Sequence, residues 1–141
     1  MTAIDTNILV YAHREELPQH RAAYSRLKAL AEGHVLWGIP VFCIGEFVRV
    51  VTHPKLFDPP YTAGEACEAV ERLLEAPGLR VLYPGSAFVA FFAEAVREAN
   101  AIGNLVFDAQ IVAVCRESGV SSLLTEDRDF ARFPGFKTRG L

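Results

Sequence analysis

The chain has 141 residues, of which 51% are hydrophobic and 22% charged, and its 14 basic and 17 acidic residues give a formal net charge of −3. The length suits one domain with a substantial core, and the hydrophobic content excludes disorder. The acidic balance argues against binding nucleic acid through a general basic surface. No apolar stretch approaches the roughly 20 residues that span a bilayer, and the opening residues do not resemble a signal peptide. We therefore expect a cytoplasmic protein without membrane contact.

Short β-rich runs alternate with helical ones, which predicts an α/β domain with a mostly parallel sheet. In the first half of the chain, strands are predicted at Thr2–Asp5 and Val35–Gly38, and helices at Thr6–His13, Pro18–Glu32 and Pro40–Thr52. The last of these helices has almost no polar face, so we expect it to be buried.

In the second half, a proline-rich loop at 54–61 leads to Thr62 and Glu65, whose spacing fits a capping box that opens a helix to Ala76. Ser86 is expected to cap a helix that runs to Ala101. The remaining predicted elements are strands at Arg80–Tyr83 and Ser121–Thr125, a helix at Asn104–Ser118 and an edge strand near Lys137–Arg139.

Three carboxylates interrupt segments that otherwise read as protein core. Asp5 lies between Ala3-Ile4 and Ile8-Leu9-Val10, and Glu46 and Asp108 each lie inside an apolar helical segment. We expect all three to be buried charges. An unpaired buried carboxylate costs several kcal/mol, so these acids need protons, basic partners or a metal ion to neutralise them.

The predicted topology brings the acids towards one edge of the sheet. Asp5 closes the first strand and Asp127 follows the strand that ends at Thr125, and such strand ends are where open α/β sheets bind ligands. Glu46 and Asp108 would reach the same edge from helices. Four carboxylates without His or Cys favour Mg²⁺ or Mn²⁺ over zinc, which predicts a metal site.

Each acid also has an ordinary structural explanation when taken alone. Asp5 and Asp127 both precede helical segments, where a carboxylate often serves as the N-cap. Glu46 has Arg49 one helical turn away as an ion-pair partner. Asp108 is the hardest to explain in this way, because no Lys or Arg precedes it nearby.

At these residues the sequence resembles the PIN-domain ribonucleases, and within them the VapC-type toxins of prokaryotic toxin–antitoxin pairs. The resemblance covers nearly the whole chain and implies one PIN domain over residues 1–141, folded as a three-layer α/β/α sandwich. The motifs that carry it are Ile4-Asp5-Thr6-Asn7-Ile8-Leu9, Glu46-Phe47, Gly103-Asn104-Leu105-Val106-Phe107-Asp108-Ala109 and Leu124-Thr125-Glu126-Asp127-Arg128-Asp129-Phe130.

The resemblance implies an endoribonuclease that uses Mg²⁺ or Mn²⁺ and leaves a 5′-phosphate. It also implies a homodimer with a cognate antitoxin protein as partner. The residues that it places at the metal site are Asp5, Glu46, Asp108 and Asp127, with Asp129 as a candidate fifth acid and with Thr6, Asn7 and Thr125 orienting carboxylates or waters.

Two other functions remain open on the sequence. One is a phosphotransferase or phosphatase with Asp5 as nucleophile, although such enzymes normally have Asp-x-Asp and position 7 here is Asn. The other is a non-catalytic PIN-like module that binds RNA or a protein, whose mark would be the loss of an acid. All four acids are present in this chain.

Overall fold

The centre of the molecule is a parallel sheet of five strands, seen in a computed structural model that describes all residues from 1 to 141. Every neighbouring pair of strands is parallel, and the order across the sheet is β3-β2-β1-β4-β5. The strands are β1 (Thr2–Ile4), β2 (Trp37–Pro40), β3 (Leu79–Leu82), β4 (Ser122–Leu124) and β5 (Thr138–Arg139).

Six α-helices connect the strands, and a short 3₁₀ helix at Arg128–Arg132 precedes β5. The chain passes from β1 through β2 to β3 in one direction and then returns to β4, so right-handed crossovers place helices on both faces of the sheet. This arrangement confirms the three-layer sandwich. No helix has the length and apolarity needed to cross a membrane. The helices are α1 (Thr6–His13), α2 (His20–Glu32), α3 (Val41–Val51), α4 (Ala63–Leu74), α5 (Phe88–Ala99) and α6 (Leu105–Glu117).

The central strands form the core because helices cover both of their faces. Ile4 of β1 and Leu123 of β4 are fully buried, as is Trp37 at the start of β2. Each such side chain stabilises the fold by about 1.5–3 kcal/mol through removal of its apolar surface from water. The core therefore fixes β1 and β4 as rigid neighbours, and both strands end at the same edge.

Two elements begin later than the sequence pattern predicts. Helix α2 begins at His20, not at Pro18, because residues 14–20 form turns in which the His20 N–H donates to the Leu17 carbonyl at 3.0 Å. Strand β2 begins at Trp37, since the preceding Val35 is 71% exposed and does not pair with the sheet. A run of apolar residues marks a strand only where neighbouring strands are there to pair with it.

The two helix caps that we predicted have opposite outcomes. The capping box of α4 is confirmed, because Thr62 Oγ1 accepts from the Glu65 N–H at 3.1 Å and Glu65 Oε1 accepts from the Thr62 N–H at 3.0 Å. The predicted Ser86 cap is wrong. The start of α5 is capped by a residue of α6 instead. The Glu117 carboxylate accepts hydrogen bonds from the backbone N–H groups of Gly85 and Ala87 at 2.9 and 3.1 Å.

Helix α3 is only partly buried, contrary to the prediction. Cys43, Phe47 and Val51 face the core at helical spacing, whereas Glu46 and Arg49 are exposed. One stripe of an amphipathic helix is enough to anchor it, so the apolar residues on its other faces do not imply full burial. This orientation decides where Glu46 lies.

Candidate active site

The candidate site lies between β1 and β4, where the order in which the chain adds strands to the sheet changes direction. Strand β1 pairs with both β2 and β4, and the chain leaves β1 and β4 into segments that diverge from the sheet. The Asp5 N–H donates to the Leu124 carbonyl at 3.0 Å, so Asp5 lies beside the end of β4. A crevice at such a point is the usual ligand site of an open parallel sheet.

Asp5 is buried and surrounded by hydrogen-bond donors. Its Oδ1 accepts from the Thr6 N–H at 2.7 Å, and its Oδ2 accepts from the Thr125 hydroxyl at 2.6 Å and from the Asn7 amide at 3.1 Å. The Cys43 thiol lies 3.8 Å from Oδ1. Desolvation by burial outweighs these hydrogen bonds and raises the pKa of Asp5 to about 6. The N-cap explanation of Asp5 therefore holds, but it accounts for only one of these contacts.

Thr125 connects the ends of β1 and β4 through a single hydroxyl group. It donates to Asp5 and accepts from the Asn7 amide at 3.2 Å and from the Asp127 N–H at 3.0 Å. Thr6 contacts a different acid, since its hydroxyl donates to Glu46 Oε2 at 3.0 Å. Each of the three polar residues predicted to orient the acids is thus in direct contact with one of them.

Asp108, Asp127 and Asp129 bring carboxylate oxygens within 4.8 Å of one another. Asp127 also caps the 3₁₀ helix, because its Oδ1 accepts from the Asp129 N–H at 2.8 Å. Burial, followed by repulsion from Asp127, Asp5 and two further acids, raises the pKa of Asp108 to about 7. This group of acids therefore carries more negative charge than the protein around it neutralises.

Glu46 approaches the other acids from α3 and is exposed, so the prediction of a buried charge is wrong for this residue. Asp108 is only half-buried, so that prediction holds in full for Asp5 alone. Glu46 Oε1 lies 3.7 Å from Arg49 Nη2, and both side chains are largely accessible to water. An exposed ion pair of this kind contributes about 0–1 kcal/mol, so Arg49 does not hold Glu46 away from another cation.

The acids line one cleft of about 290 Å³, which we call the acid cleft. A second depression of about 820 Å³, the side groove, adjoins it and shares Glu46, Asp108 and Asp127 with it. Asp129 borders the side groove and not the acid cleft. The polar residues that line the acid cleft are Asp5, Thr6, Asn7, Tyr11, Glu46, Asp108 and Asp127.

The chemistry of the donors fits a hard divalent cation. Carboxylate oxygens are the ligands that Mg²⁺ and Mn²⁺ prefer, and no histidine lines the acid cleft. Burial, together with repulsion from neighbouring carboxylates, raises the pKa values of Asp5 and Asp108, and neither residue has an ion-pair partner. A bound cation would supply the missing positive charge.

The same contacts argue against Asp5 as a phosphate nucleophile. A nucleophilic carboxylate must approach the substrate phosphorus in line, whereas only 5% of Asp5 is exposed and hydrogen bonds to both of its oxygens fix its orientation. The structure thus favours a role in which Asp5 is held in a fixed orientation.

Sequence reasoning missed residues that contact or border the acids. Cys43 lies one turn before Glu46 on α3, and this spacing was the only signal for its approach to Asp5. Phe107, next to Asp108, lines the side groove and is 64% exposed. Its exposure depends on how α6 is oriented in the fold, which the apolar sequence of that helix does not reveal.

Comparisons with known proteins come to the same family. Residues 2–135 match the PIN domain family. The chain is 35% identical to ribonuclease VapC43 of Mycobacterium tuberculosis over 139 residues, which cover 99% of this chain and 94% of that protein. It is 30% identical to ribonuclease VapC48 of the same species, with coverage of 96% and 93%.

Solved structures show the same fold at lower sequence identity. VapBC2 of Rickettsia felis, bound to a DNA fragment from its promoter, has a chain that superimposes with a TM-score of 0.72 at 19% identity, covering 99% of this chain and 97% of that one. For VapC20 of Mycobacterium tuberculosis, described as a sarcin–ricin loop cleaving toxin, the TM-score is 0.69 at 18% identity, with 96% of each chain covered. The protein described here belongs to the PIN domain family, as a member of its VapC ribonucleases.

Proposed function

We propose that this chain, as a single PIN domain over residues 1–141, is an endoribonuclease that depends on Mg²⁺ or Mn²⁺. The observation that carries the proposal is that four acids from separate segments of the chain converge on one cleft: Asp5, Glu46, Asp108 and Asp127. The similarity to VapC ribonucleases supports RNA as the substrate. The carboxylates without ion-pair partners support a divalent cation as the cofactor.

Asp5, Glu46, Asp108 and Asp127 would hold the ion directly or through water, with Asp129 at the outer edge. A divalent ion bound there would activate a water molecule, bind a phosphate oxygen and stabilise the leaving oxygen during in-line displacement. The chain's own residues supply orientation: Thr125 and Asn7 fix Asp5, and Thr6 fixes Glu46.

The decisive experiment compares RNA cleavage by the purified protein with Mg²⁺ or Mn²⁺, with excess chelator, and after Asp108→Asn. We expect the chelator to abolish cleavage and Asp108→Asn to reduce it by more than about 100-fold, because even residues that only support metal ligands contribute 10–100-fold. Asp58→Asn is the matched control, since Asp58 is exposed and outside the acid cleft. Cleavage that survives both chelator and Asp108→Asn would refute the mechanism.

We further propose that the protein is the toxin of a toxin–antitoxin pair and acts in the cytoplasm as a homodimer. The Rickettsia VapBC2 structure and that of VapBC-1 from Haemophilus influenzae support a cognate antitoxin as partner. Expression of the wild type should arrest growth, and co-expression of the antitoxin or the substitution Asp5→Ala should relieve the arrest. Normal growth with abundant, folded wild-type protein would contradict the toxin role.

A further inference from the structure

The side groove continues the acid cleft along the surface between α3 and α6. It shares three acids with the cleft, and its other lining residues are a fourth acid, Asp129, one cation and uncharged groups. Arg49 comes from α3, whereas Asn104, Phe107 and Gln110 come from α6 or the residue just before it. A polymer bound with one phosphate at the acids would therefore extend into this groove.

Phe107 is unusual among the aromatic residues because its side chain faces water beside the candidate site. It is 64% exposed and immediately precedes Asp108. Asn104, Phe107 and Ile111 follow one another at intervals of three and four residues, so they lie on one face of α6. That face borders the groove, which places an unpacked aromatic ring next to the carboxylate cluster.

The two aromatic residues of the groove differ in how tightly they pack against the protein. Phe42 is partly buried and packs against Phe88 of α5, with ring centroids 5.8 Å apart. Phe107 forms no aromatic pair within the protein, in contrast to Phe42, Phe88 and Phe92. The groove thus combines a fixed apolar floor with an aromatic ring that is free to take a partner.

This combination matches the way proteins bind unpaired nucleotides. Single-stranded RNA is held by stacking of bases on aromatic rings, by hydrogen bonds to base edges and by cations at phosphates. Phe107 offers the ring, Asn104 and Gln110 offer amide groups, and Arg49 offers the cation. A second protein chain fits the groove less well, because the centres of protein interfaces are depleted of charged residues and this groove contains several.

We propose that the side groove binds an unpaired nucleotide next to the scissile phosphate, with Phe107 stacked on its base and Arg49 near its phosphate. This inference rests on the proposed RNA cleavage and adds a residue that contacts the substrate: Phe107 would stack on the base beside the cleaved bond. Phe107 is accordingly a residue that selects for flexible, single-stranded segments over paired ones.

The test uses a short labelled single-stranded RNA that the wild type cleaves at one mapped bond, and a set of copies with an abasic ribonucleotide at each flanking position in turn. Phe107→Ala and Phe107→Trp are compared with Tyr83→Ala, a control that removes an equally exposed aromatic residue, 65% against 64%, outside the groove. Cleavage gives KM and kcat. Fluorescence anisotropy in an Asp108→Asn background gives the Kd for uncut RNA.

For Phe107→Ala we expect KM and Kd to rise about tenfold, as for the loss of one stacked base, while Phe107→Trp and Tyr83→Ala stay near wild type. One abasic position should weaken wild-type binding by a similar factor and have no further effect on Phe107→Ala. Equal losses on intact and abasic RNA, unchanged binding, or a change in oligomeric mass caused by Phe107→Ala would each overturn the inference. Undiminished cleavage by Asp108→Asn would instead refute the proposed function itself.

Discussion

The acid cleft and the cluster around Arg14 each contain a buried ionisable side chain, Asp5 and Arg14, but only Arg14 has an oppositely charged partner. Arg14 is 6% exposed, and Glu16 and the Pro59 carbonyl accept its hydrogen bonds, each at 2.8 Å. Its guanidinium also lies over the rings of Phe57 and Tyr61, 4.4 and 5.0 Å from their centroids. In the acid cleft, by contrast, the nearest charges of Asp108 are further carboxylates.

The presence or absence of such partners distinguishes a charge that stabilises the fold, on Arg14, from charges that can bind a ligand, in the acid cleft. The partners of Arg14 come from within the fold, so its charge stabilises the contact between the end of α1 and the loop that carries Pro59. Asp5 and Asp127 gain hydrogen-bond donors but no ion-pair partner, and among the four acids only Glu46 has one, the exposed Arg49. A buried charge that the protein leaves uncompensated indicates a ligand of opposite charge.

The largest effect on stability should come from the Arg14 cluster. We expect Arg14→Met to lower the free energy of unfolding by about 3 kcal/mol, through loss of charged hydrogen bonds and two cation–π contacts. Urea unfolding measures this change, with Arg26→Met, at an exposed position, as control. RNA cleavage per folded molecule should stay unchanged. A large loss of cleavage in folded Arg14→Met would show that the two regions are coupled.

The second prediction concerns the hydroxyl that orients Asp5. Thr125→Val keeps the shape of the side chain but removes a donor to Asp5 and an acceptor for the Asp127 N–H. We expect metal affinity and cleavage to fall by about 10–100-fold, whereas Thr125→Ser should retain most of both. Calorimetric titration with Mn²⁺ measures the affinity. If Val and Ser behaved alike, the hydroxyl would not be what positions the acid.

The third prediction is a pH dependence of stability in metal-free protein. An Asp whose folded pKa is raised from 3.8 to about 7 binds a proton more tightly in the folded state, so the free energy of unfolding should fall as pH rises from about 4 to about 7. Asp5, with a folded pKa of about 6, should add to the lower part of this fall. Asp108→Asn should flatten the curve and raise stability at pH 8. Thermal unfolding in chelator tests this, and identical pH profiles for wild type and variant would contradict it.

The smallest expected effect is the stabilisation by metal. At free Mg²⁺ about ten times its Kd, binding to the folded state adds about 1.4 kcal/mol to the free energy of unfolding. At one fixed Mg²⁺ concentration the gain should be larger at pH 8 than at pH 6, because protons compete for Asp108 and Asp5 at the lower pH and weaken metal binding. Melting curves with and without chelator measure it. An equal gain in Asp108→Asn would place the ion elsewhere.

The sequence was sufficient to predict the parts of the site that follow directly from strand ends. Asp5 comes directly after β1 and Asp127 three residues after β4, and parallel pairing of these strands brings their ends together. Asp108 was identifiable because a carboxylate in an apolar helix without nearby basic residues needs a partner. These inferences rest on periodicity and local charge, which the sequence shows directly.

Features that depend on how the helices pack, such as side-chain exposure and contacts between helices, could not be predicted from the sequence. Glu46 was expected to be buried because α3 is apolar on several sides, yet the stripe that faces the core leaves Glu46 outside. The cap of α5 comes from Glu117, 30 residues along the chain from Ala87, and no local pattern reports such a contact. Phe107 is likewise an apolar residue of the kind expected in the core, yet it lies at the surface.

The Glu117 cap also ties the two ends of a helical hairpin together. At the same end of α6, Arg116 pairs with Glu98 of α5 at 2.9 Å, so the start and the later part of α5 are both held by the last turn of α6. Neither helix can fray there without breaking contacts of the other, so we expect the hairpin to open as one cooperative unit. We expect the amide hydrogens of this unit to exchange with solvent as one group. Because the unit carries Asp108, their exchange rate would report how often the acid cleft opens.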